Sequence, residues 1–320
     1  MSQALIQLES VDGFHVGGAP RIVHGFPAGR RFANDGLHVL GQMYAQHFRL
    51  AFPRSETPVA FWHGGGMTGA CWEETPDGRR GWLHHFLRAG FSAYLCDAYE
   101  RGRASLPPGH VAGEAPEYRS VDSIWHHFRF GNAPASADAL LTDPRGLAYP
   151  GQQFPVEALV AFGQQFAPRF VDSDAQALAA YAALLRRAGA CHLIGHSQGG
   201  QFAVQSAVAN RHLVRAVVAL EPPLSEAIVD ALAPGVDAEL PPHLFVFGDY
   251  IRGTSRTWES FLANTRRYCD MLRQRGVPCE LIELPEHGVT GNSHMLQMDR
   301  NSAQVAAIVE NWLVGLEKKW

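Results

Sequence analysis

The sequence predicts an α/β protein with a mostly parallel central sheet and helices on both faces. Short, wholly apolar runs bounded by Gly, Pro and Asp recur along the chain, as expected of strands buried on both sides. Longer segments between them carry apolar residues at helical spacing, and the two kinds alternate, which is the pattern of successive βαβ units.

Taken in order, residues up to about Pro53 mix Gly turns with alternating stretches such as Gln42–Leu50, read as leading antiparallel strands. Thr57–Trp62 is the first buried strand and runs into His63-Gly64-Gly65-Gly66. A helix over Arg79–Ala89 presents Trp82, Phe86 and Leu87 on one face and stops at Gly90. Phe91–Asp97 is the next strand, followed by a loop to Ser105.

From Leu106 to Val171 the alternation fails, and Pro, Gly, His and aromatics crowd together. This stretch, 106–171, reads as a lid-like insertion within a single domain spanning 1–320. Regular order returns with Asp172-Ser173-Asp174 as a cap, then a helix carrying Leu178, Tyr181, Ala182 and Leu185 that stops at Gly189. Buried strands follow at Cys191–Ile194, Val214–Leu220, His243–Phe247 and Cys279–Leu284. Helices are expected through Phe202–Val208 and over Thr257–Gln274, and a last one shows Val305, Ile308, Val309, Trp312, Leu313 and Leu316 as a single stripe.

Composition narrows the function classes. The chain has 320 residues, 46% hydrophobic and 18% charged, enough for a large core and unlike a disordered chain. A net charge of −4 with no basic block argues against nucleic acid as a partner. The first ten residues lack a basic stretch followed by an apolar one, and no run reaches membrane-span length, so a cytoplasmic protein without membrane attachment is expected. Five cysteines, odd in number and widely spaced, fit reduced core thiols better than a disulfide framework. Whether the chain works alone or as a homodimer stays open at this level.

The chemistry concentrates at Gly195-His196-Ser197-Gln198-Gly199, where the strand Cys191–Ile194 breaks into a turn and then a helix. Glycines at both ends let the backbone fold sharply and lift the Ser197 hydroxyl clear of the sheet. Such a nucleophile elbow in an alternating strand and helix pattern predicts the α/β-hydrolase fold. A serine hydroxyl needs a base, and the base needs a group that fixes its tautomer. In this fold the order is serine, acid, histidine. Of the two histidines after the last strand, His294 lies nearer the terminal helix and is preferred to His287. The acid must close a strand beyond the elbow. Glu221 does so directly, and Asp249 is the alternative one strand later. The Gln198 amide and that of Gly65, with Gly66 as a substitute, are the expected oxyanion donors. Trp125, His126 and Phe128 in the insertion are expected either to line an apolar substrate pocket or to pack the insertion onto the core.

The stretch His63–Ser105, with Trp72-Glu73-Glu74-Thr75-Pro76-Asp77-Gly78-Arg79 and Arg101-Gly102-Arg103, resembles the bacterial esterase 713-like group of α/β-hydrolases. So do Gly195–Gly199, Leu220-Glu221-Pro222 and Gly291-Asn292-Ser293-His294-Met295. The resemblance implies a Ser197-Glu221-His294 triad and hydrolysis of a small-molecule carboxylic ester or lactone. Without a His-Glu-x-x-His helix or a Cys-x-x-Cys knuckle no metal is expected, and no dinucleotide cofactor is expected either. Serine at 197 argues against dehalogenation, which wants a carboxylate there. A catalytically silent binding protein on the same fold is the remaining class.

Overall fold

The computed structural model describes residues 5–25, 35–107 and 115–318, so residues 108–114 of the expected insertion lie outside the described residues. The strands are β1 (Leu8–Val23), β2 (Gly36–Leu50), β3 (Val59–Trp62), β4 (Ala93–Asp97), β5 (Cys191–His196), β6 (Val214–Leu220), β7 (His243–Phe247) and β8 (Cys279–Glu283). They form one sheet in the order β1-β2-β4-β3-β5-β6-β7-β8. β1 and β2 make an antiparallel hairpin that adds to β4, and every pair from β4 through β8 is parallel.

The leading hairpin is longer than the sequence suggested, with β1 alone covering 16 residues. Most of β1 is exposed, and Gly17 and Gly18 take φ of 69° and 78°, so an apolar alternation never develops there. The central strands β3 to β7 show the opposite behaviour. Buried throughout or nearly so, they send successive side chains to two separate cores.

The helices are α1 (Trp82–Arg88), α2 (Val121–His127), α3 (Ala137–Thr142), α4 (Pro144–Leu147), α5 (Leu159–Gly163), α6 (Asp174–Ala188), α7 (Gln198–Ala209), α8 (Glu226–Leu232), α9 (Arg256–Gln274) and α10 (Ser302–Glu317). On one face α6, α7, α8 and α9 pack against Ala60, Trp62, Leu193, Val217 and Phe245. On the other, α1, α10 and the insertion pack against Val59, Phe61, Ile194, Val218 and Val246. The helix α1 starts three residues later than its apolar pattern suggests. Gly81 lies against the chain so closely that a Cβ there would sit 2.2 Å from the Trp72 carbonyl oxygen, which holds this residue extended as the N-cap. The short α8, capped by the Ser225 hydroxyl accepting from the Ile228 amide, was not apparent from the sequence.

Between β4 and α6 the chain adds α2 to α5 and irregular segments. Phe130 stacks on Phe154 at 3.9 Å, Phe162 lies 5.0 Å from Phe154, and all three join the core that holds Met295 and Leu296. Two ends of this stretch meet where Glu117 and Arg169 exchange backbone hydrogen bonds of 2.7 and 3.1 Å.

Strand register fixes where the site forms. Trp62 is aligned with Gly195, His196 with Leu220, and Leu220 with Val246. The next residues in each strand, His63, Ser197 and Glu221, therefore leave the sheet at one rim, with Gly248 and Asp249 close by.

Candidate active site

At the end of β5 the chain turns through Ser197 and enters α7 at once. Ser197 has φ 52° and ψ −123°, a conformation of order 1–3 kcal/mol above ordinary backbone for a residue with a Cβ. Its amide is tied to the Leu220 carbonyl at 2.8 Å. A Cβ on Gly195 would fall 2.3 Å from the Gly199 carbonyl oxygen, and one on Gly199 2.3 Å from that of Trp62. Both positions thus require glycine, which is the physical content of the Gly-x-Ser-x-Gly pattern. Ser197 and Gln198 remain partly exposed. As the first residue of α7, Gln198 has an amide with no intrahelical acceptor, at the positive end of the helix dipole.

His294 and Glu221 meet in the buried layer next to the elbow. Glu221 Oε2 accepts from His294 Nδ1 at 2.6 Å, and both side chains are at most 1% exposed. That bond places the proton on Nδ1 and leaves Nε2 of the neutral ring as an acceptor. The ring sits 4.6 Å from that of His196, whose Nε2–H donates to the His294 carbonyl at 2.9 Å. The His294 amide is anchored on the Phe128 carbonyl, and Trp258 of α9 packs 4.3 Å from its ring. Burial, then the positive charge of Arg129 and the neighbouring His127 and Arg119, hold the His294 imidazole well below the usual histidine range.

The second carboxylate oxygen of Glu221 is held by the insertion. Oε1 accepts from the Gly248 amide at 2.7 Å and from Nη2 of Arg129, a fully buried arginine. Arg129 Nε donates to the Asp249 carbonyl at 2.8 Å, and its guanidinium lies over Trp258 at 5.0 Å. Ser197, Glu221 and Arg129 all have left-handed φ, at 52°, 47° and 61°, although none is glycine. Local strain is therefore concentrated on the residues that converge here.

Asp249 has a different place. Its Oδ2 accepts from the Gly291 amide at 2.8 Å and its Oδ1 from the Tyr250 amide at 2.7 Å, while its own amide donates to the Asn292 carbonyl. It braces the loop that carries His294, and the histidine ring pairs with Glu221 instead. Further along this loop, the buried Asp299 accepts from the Ser293 amide, the Ser293 hydroxyl and the Asn292 side chain at 2.9, 2.7 and 3.0 Å. Arg79 grips the Met298 and Asp299 carbonyls at 2.7 and 3.0 Å. The Thr75-Pro76-Asp77-Gly78-Arg79 stretch thus helps fix the histidine loop. His287 lies on the turn after β8 and is exposed.

The glycine run after β3 forms a turn in which the Met67 amide bonds the Gly64 carbonyl at 3.2 Å, with Gly65 and Gly66 in the middle and Gly66 at φ 77°. Gly66 is the third residue of this four-residue turn, and its positive φ favours glycine there. His63 pins it. Nδ1–H donates to the Gly64 carbonyl at 2.9 Å, and Nε2 accepts from the Ala98 amide at 3.0 Å. Burial pushes this ring down to about 4, so it stays neutral. A Cβ on Gly64 would come within 3.1 Å of Ser197 Cβ, and one on Gly65 within 3.0 Å of Gln198 Oε1. The turn and the elbow are therefore in contact. Among the described residues, the Gly65 and Gly66 amides make no backbone hydrogen bond.

Of the insertion residues expected near a pocket, Phe128 borders His294 at 4.8 Å between ring centroids. Trp125 is fully buried, donates its indole N–H to the Asn132 carbonyl and packs the insertion onto the core, while His126 faces solvent. No group of three or more His, Cys, Asp or Glu among the described residues is placed to hold a metal ion. All five cysteines are free. The sequence reading missed Arg129 and Trp258. An arginine inside the aromatic run Trp125–Phe130 was the available signal for the first. Trp258 looks like one more apolar position of a helix stripe.

The sheet order and the strand, turn and helix around Ser197 define an α/β-hydrolase fold. A solved bacterial esterase matches over 97% of this chain and 96% of that chain, with a TM-score of 0.83 and 29% identity. In sequence the chain is 26% identical to the probable secreted lipase phiG of a fungal species, over 97% of this chain and 95% of the relative. No family model matches. The fungal relative is described as secreted, whereas the sequence reading expected a cytoplasmic protein. No helix among the described residues is long and apolar enough to cross a membrane.

Proposed function

We propose that this protein hydrolyses carboxylic esters of small molecules through an acyl-enzyme on Ser197. The observation that carries the reading is the buried hydrogen bond between Glu221 Oε2 and His294 Nδ1, beside a strained serine at a helix start. The likeness to a bacterial esterase and to a probable lipase supports the same class.

In this account Ser197 Oγ attacks the ester carbonyl carbon while His294 Nε2 takes the hydroxyl proton. Glu221 stabilises the imidazolium that forms and keeps Nδ1 protonated throughout. The carbonyl oxygen, now negative, is received by the Gln198 amide and by the turn amide of Gly65, with Gly66 adjacent; each such donor is worth roughly a hundred- to a thousandfold in rate. His294 then gives its proton to the departing alkoxide. Water attacks the acyl group with His294 again as base, releasing the acid and restoring Ser197. The neutral state of His294, favoured by burial and by Arg129, suits it to begin the cycle as a base. The insertion acts as a lid whose Phe128 and Arg129 complete the histidine and acid environment.

Hydrolysis of p-nitrophenyl butyrate tests the reading. Ser197→Ala is expected to lose turnover by at least a thousandfold while remaining folded. Retention of wild-type turnover in that variant would overturn it.

A further inference from the structure

Two guanidinium groups lie along the oxyanion turn and, among the described residues, neither has a carboxylate within ion-pair distance. A Cβ built on Gly65 would be 3.0 Å from Arg169 Nη1, and one on Gly66 would be 3.3 Å from Arg119 Cδ and 3.6 Å from its Nε. Since the Gly64 position touches Ser197 Cβ in the same way, Arg169 Nη1 is at most about 13 Å from that Cβ, given 3.8 Å between successive Cα atoms. The insertion builds this arrangement deliberately close. Glu117 and Arg169 clip its two ends together, and the Ala167 amide donates to the Gly66 carbonyl at 2.8 Å.

Of the nearby described carboxylates, Glu100 and Asp174 are engaged elsewhere, while Glu117 exerts a favourable charge on Arg119 that is weaker than the repulsion from Arg169. Glu100 is buried and bonds Arg101 Nη1, the Ser173 hydroxyl and the Phe170 amide through Oε1, at 2.5, 2.7 and 3.1 Å. Asp174 accepts from the side chains of Gln198 and Gln201 at 2.9 and 3.4 Å. Glu117 is exposed, and among the described residues neither Arg119 nor Arg169 forms an ion pair within 4.0 Å. Both arginines are half-buried, and Arg169 Nε is buried with no hydrogen-bond partner among the described residues. Arg101 and Arg169 are close enough for their charges to oppose each other, as are Arg169 and Arg119. Desolvated like charges held together are costly, and a bound anion relieves that cost.

We propose that Arg119 and Arg169 form an anion subsite, and that the substrate is an ester bearing a free carboxylate within reach of the scissile carbonyl. The proposal rests on the ester-hydrolysis reading and specifies its substrate class. A carboxylate offers two oxygens to guanidinium donors and suits arginine better than lysine. Its position near the oxyanion turn would orient the ester carbonyl toward the Gly65 and Gln198 amides, turning remote binding into positioning. The carboxylate can belong to the acyl part or to the alcohol part, and two pairs of probes separate these.

The experiment measures kcat/KM for mono-p-nitrophenyl adipate against p-nitrophenyl hexanoate, and for 3-carboxyphenyl hexanoate against phenyl hexanoate. Wild-type protein is expected to favour the charged member of at least one pair by tenfold or more, less so at 0.5 M salt. That ratio should fall at least tenfold in Arg119→Gln and Arg169→Gln, and be partly kept in Arg119→Lys and Arg169→Lys. If wild-type protein is labelled at Ser197 by a fluorophosphonate and hydrolyses the neutral esters but prefers neither charged one, the subsite is wrong and the ester reading stands. A preference that survives in the folded Arg119→Gln/Arg169→Gln double variant overturns it equally. With no label and no turnover of any ester, the parent reading fails and the subsite with it.

Discussion

Replacing Arg129 by methionine removes the cation that faces Glu221 across a fully buried contact. Methionine keeps much of the length and apolar bulk against Trp258, so packing is disturbed less than charge. Glu221 would then be buried with the Gly248 amide and His294 as its remaining partners. Breaking a buried ion pair on one side typically costs about 3–5 kcal/mol, because one charge is left desolvated. The lost bond from Arg129 Nε to the Asp249 carbonyl belongs within that range. The chain has a way to lower this cost. Proton uptake by His294 makes an imidazolium that takes over neutralising Glu221, so the His294 pKa must rise in the variant. Two assays follow. Urea unfolding at pH 7.5 should show the loss of about 3–5 kcal/mol, and the acid limb of kcat/KM against pH should move upward from its wild-type midpoint. Adding Glu221→Gln to Arg129→Met removes both charges, and the double variant should cost less than the sum of the single ones by about 2 kcal/mol. A single-variant cost under about 1 kcal/mol with an unmoved acid limb would refute the reasoning.

Glu221→Gln should lower kcat by a thousandfold or more, while Asp249→Asn should mainly lower stability by loosening the Gly291 turn; a larger kcat loss in folded Asp249→Asn would reverse the two roles. Gly199→Ala puts a methyl against the Trp62 and His63 carbonyl oxygens, and circular dichroism melting should show a loss of several kcal/mol or failure to fold; an unchanged melt would contradict the packing described. The buried rings of His63, His196 and His243 are pushed down to about 4, about 3 and about 4, chiefly by burial. Unfolded, each titrates near 6.5, so below that pH the unfolded chain binds more protons and stability falls as pH drops toward the folded values. By pH 5 each ring should cost about 2 kcal/mol relative to pH 8, and urea titrations at the two pH values that agree within 1 kcal/mol would contradict this.

The fold was legible because burial on both sides of a parallel sheet leaves a strong mark. Runs such as Val214–Leu220 can hardly be anything but central strands, and the elbow adds two glycines that steric contact demands. The exposed hairpin β1–β2 left a weaker mark, since half-solvated strands with left-handed glycines need no apolar alternation. At the site, register explains why Ser197 and Glu221 could be named from sequence: each is the first residue past a strand at one rim. Arg129 could not be, because its partner is 92 positions away and nothing local to it signals that its guanidinium is buried. Arg119 and Arg169 were invisible for the same reason, lying in an insertion without periodicity. Trp258 shows the limit from the other side, as its place beside His294 depends on how α9 packs and not on its own helix pattern.

The most direct measurement is peptide mapping by mass spectrometry after treating folded protein with a fluorophosphonate. One modified residue is expected, Ser197, with labelling abolished by Ser197→Ala and strongly slowed by His294→Ala. A folded protein that takes no label, or takes it at another residue with Ser197 unmodified, would contradict it.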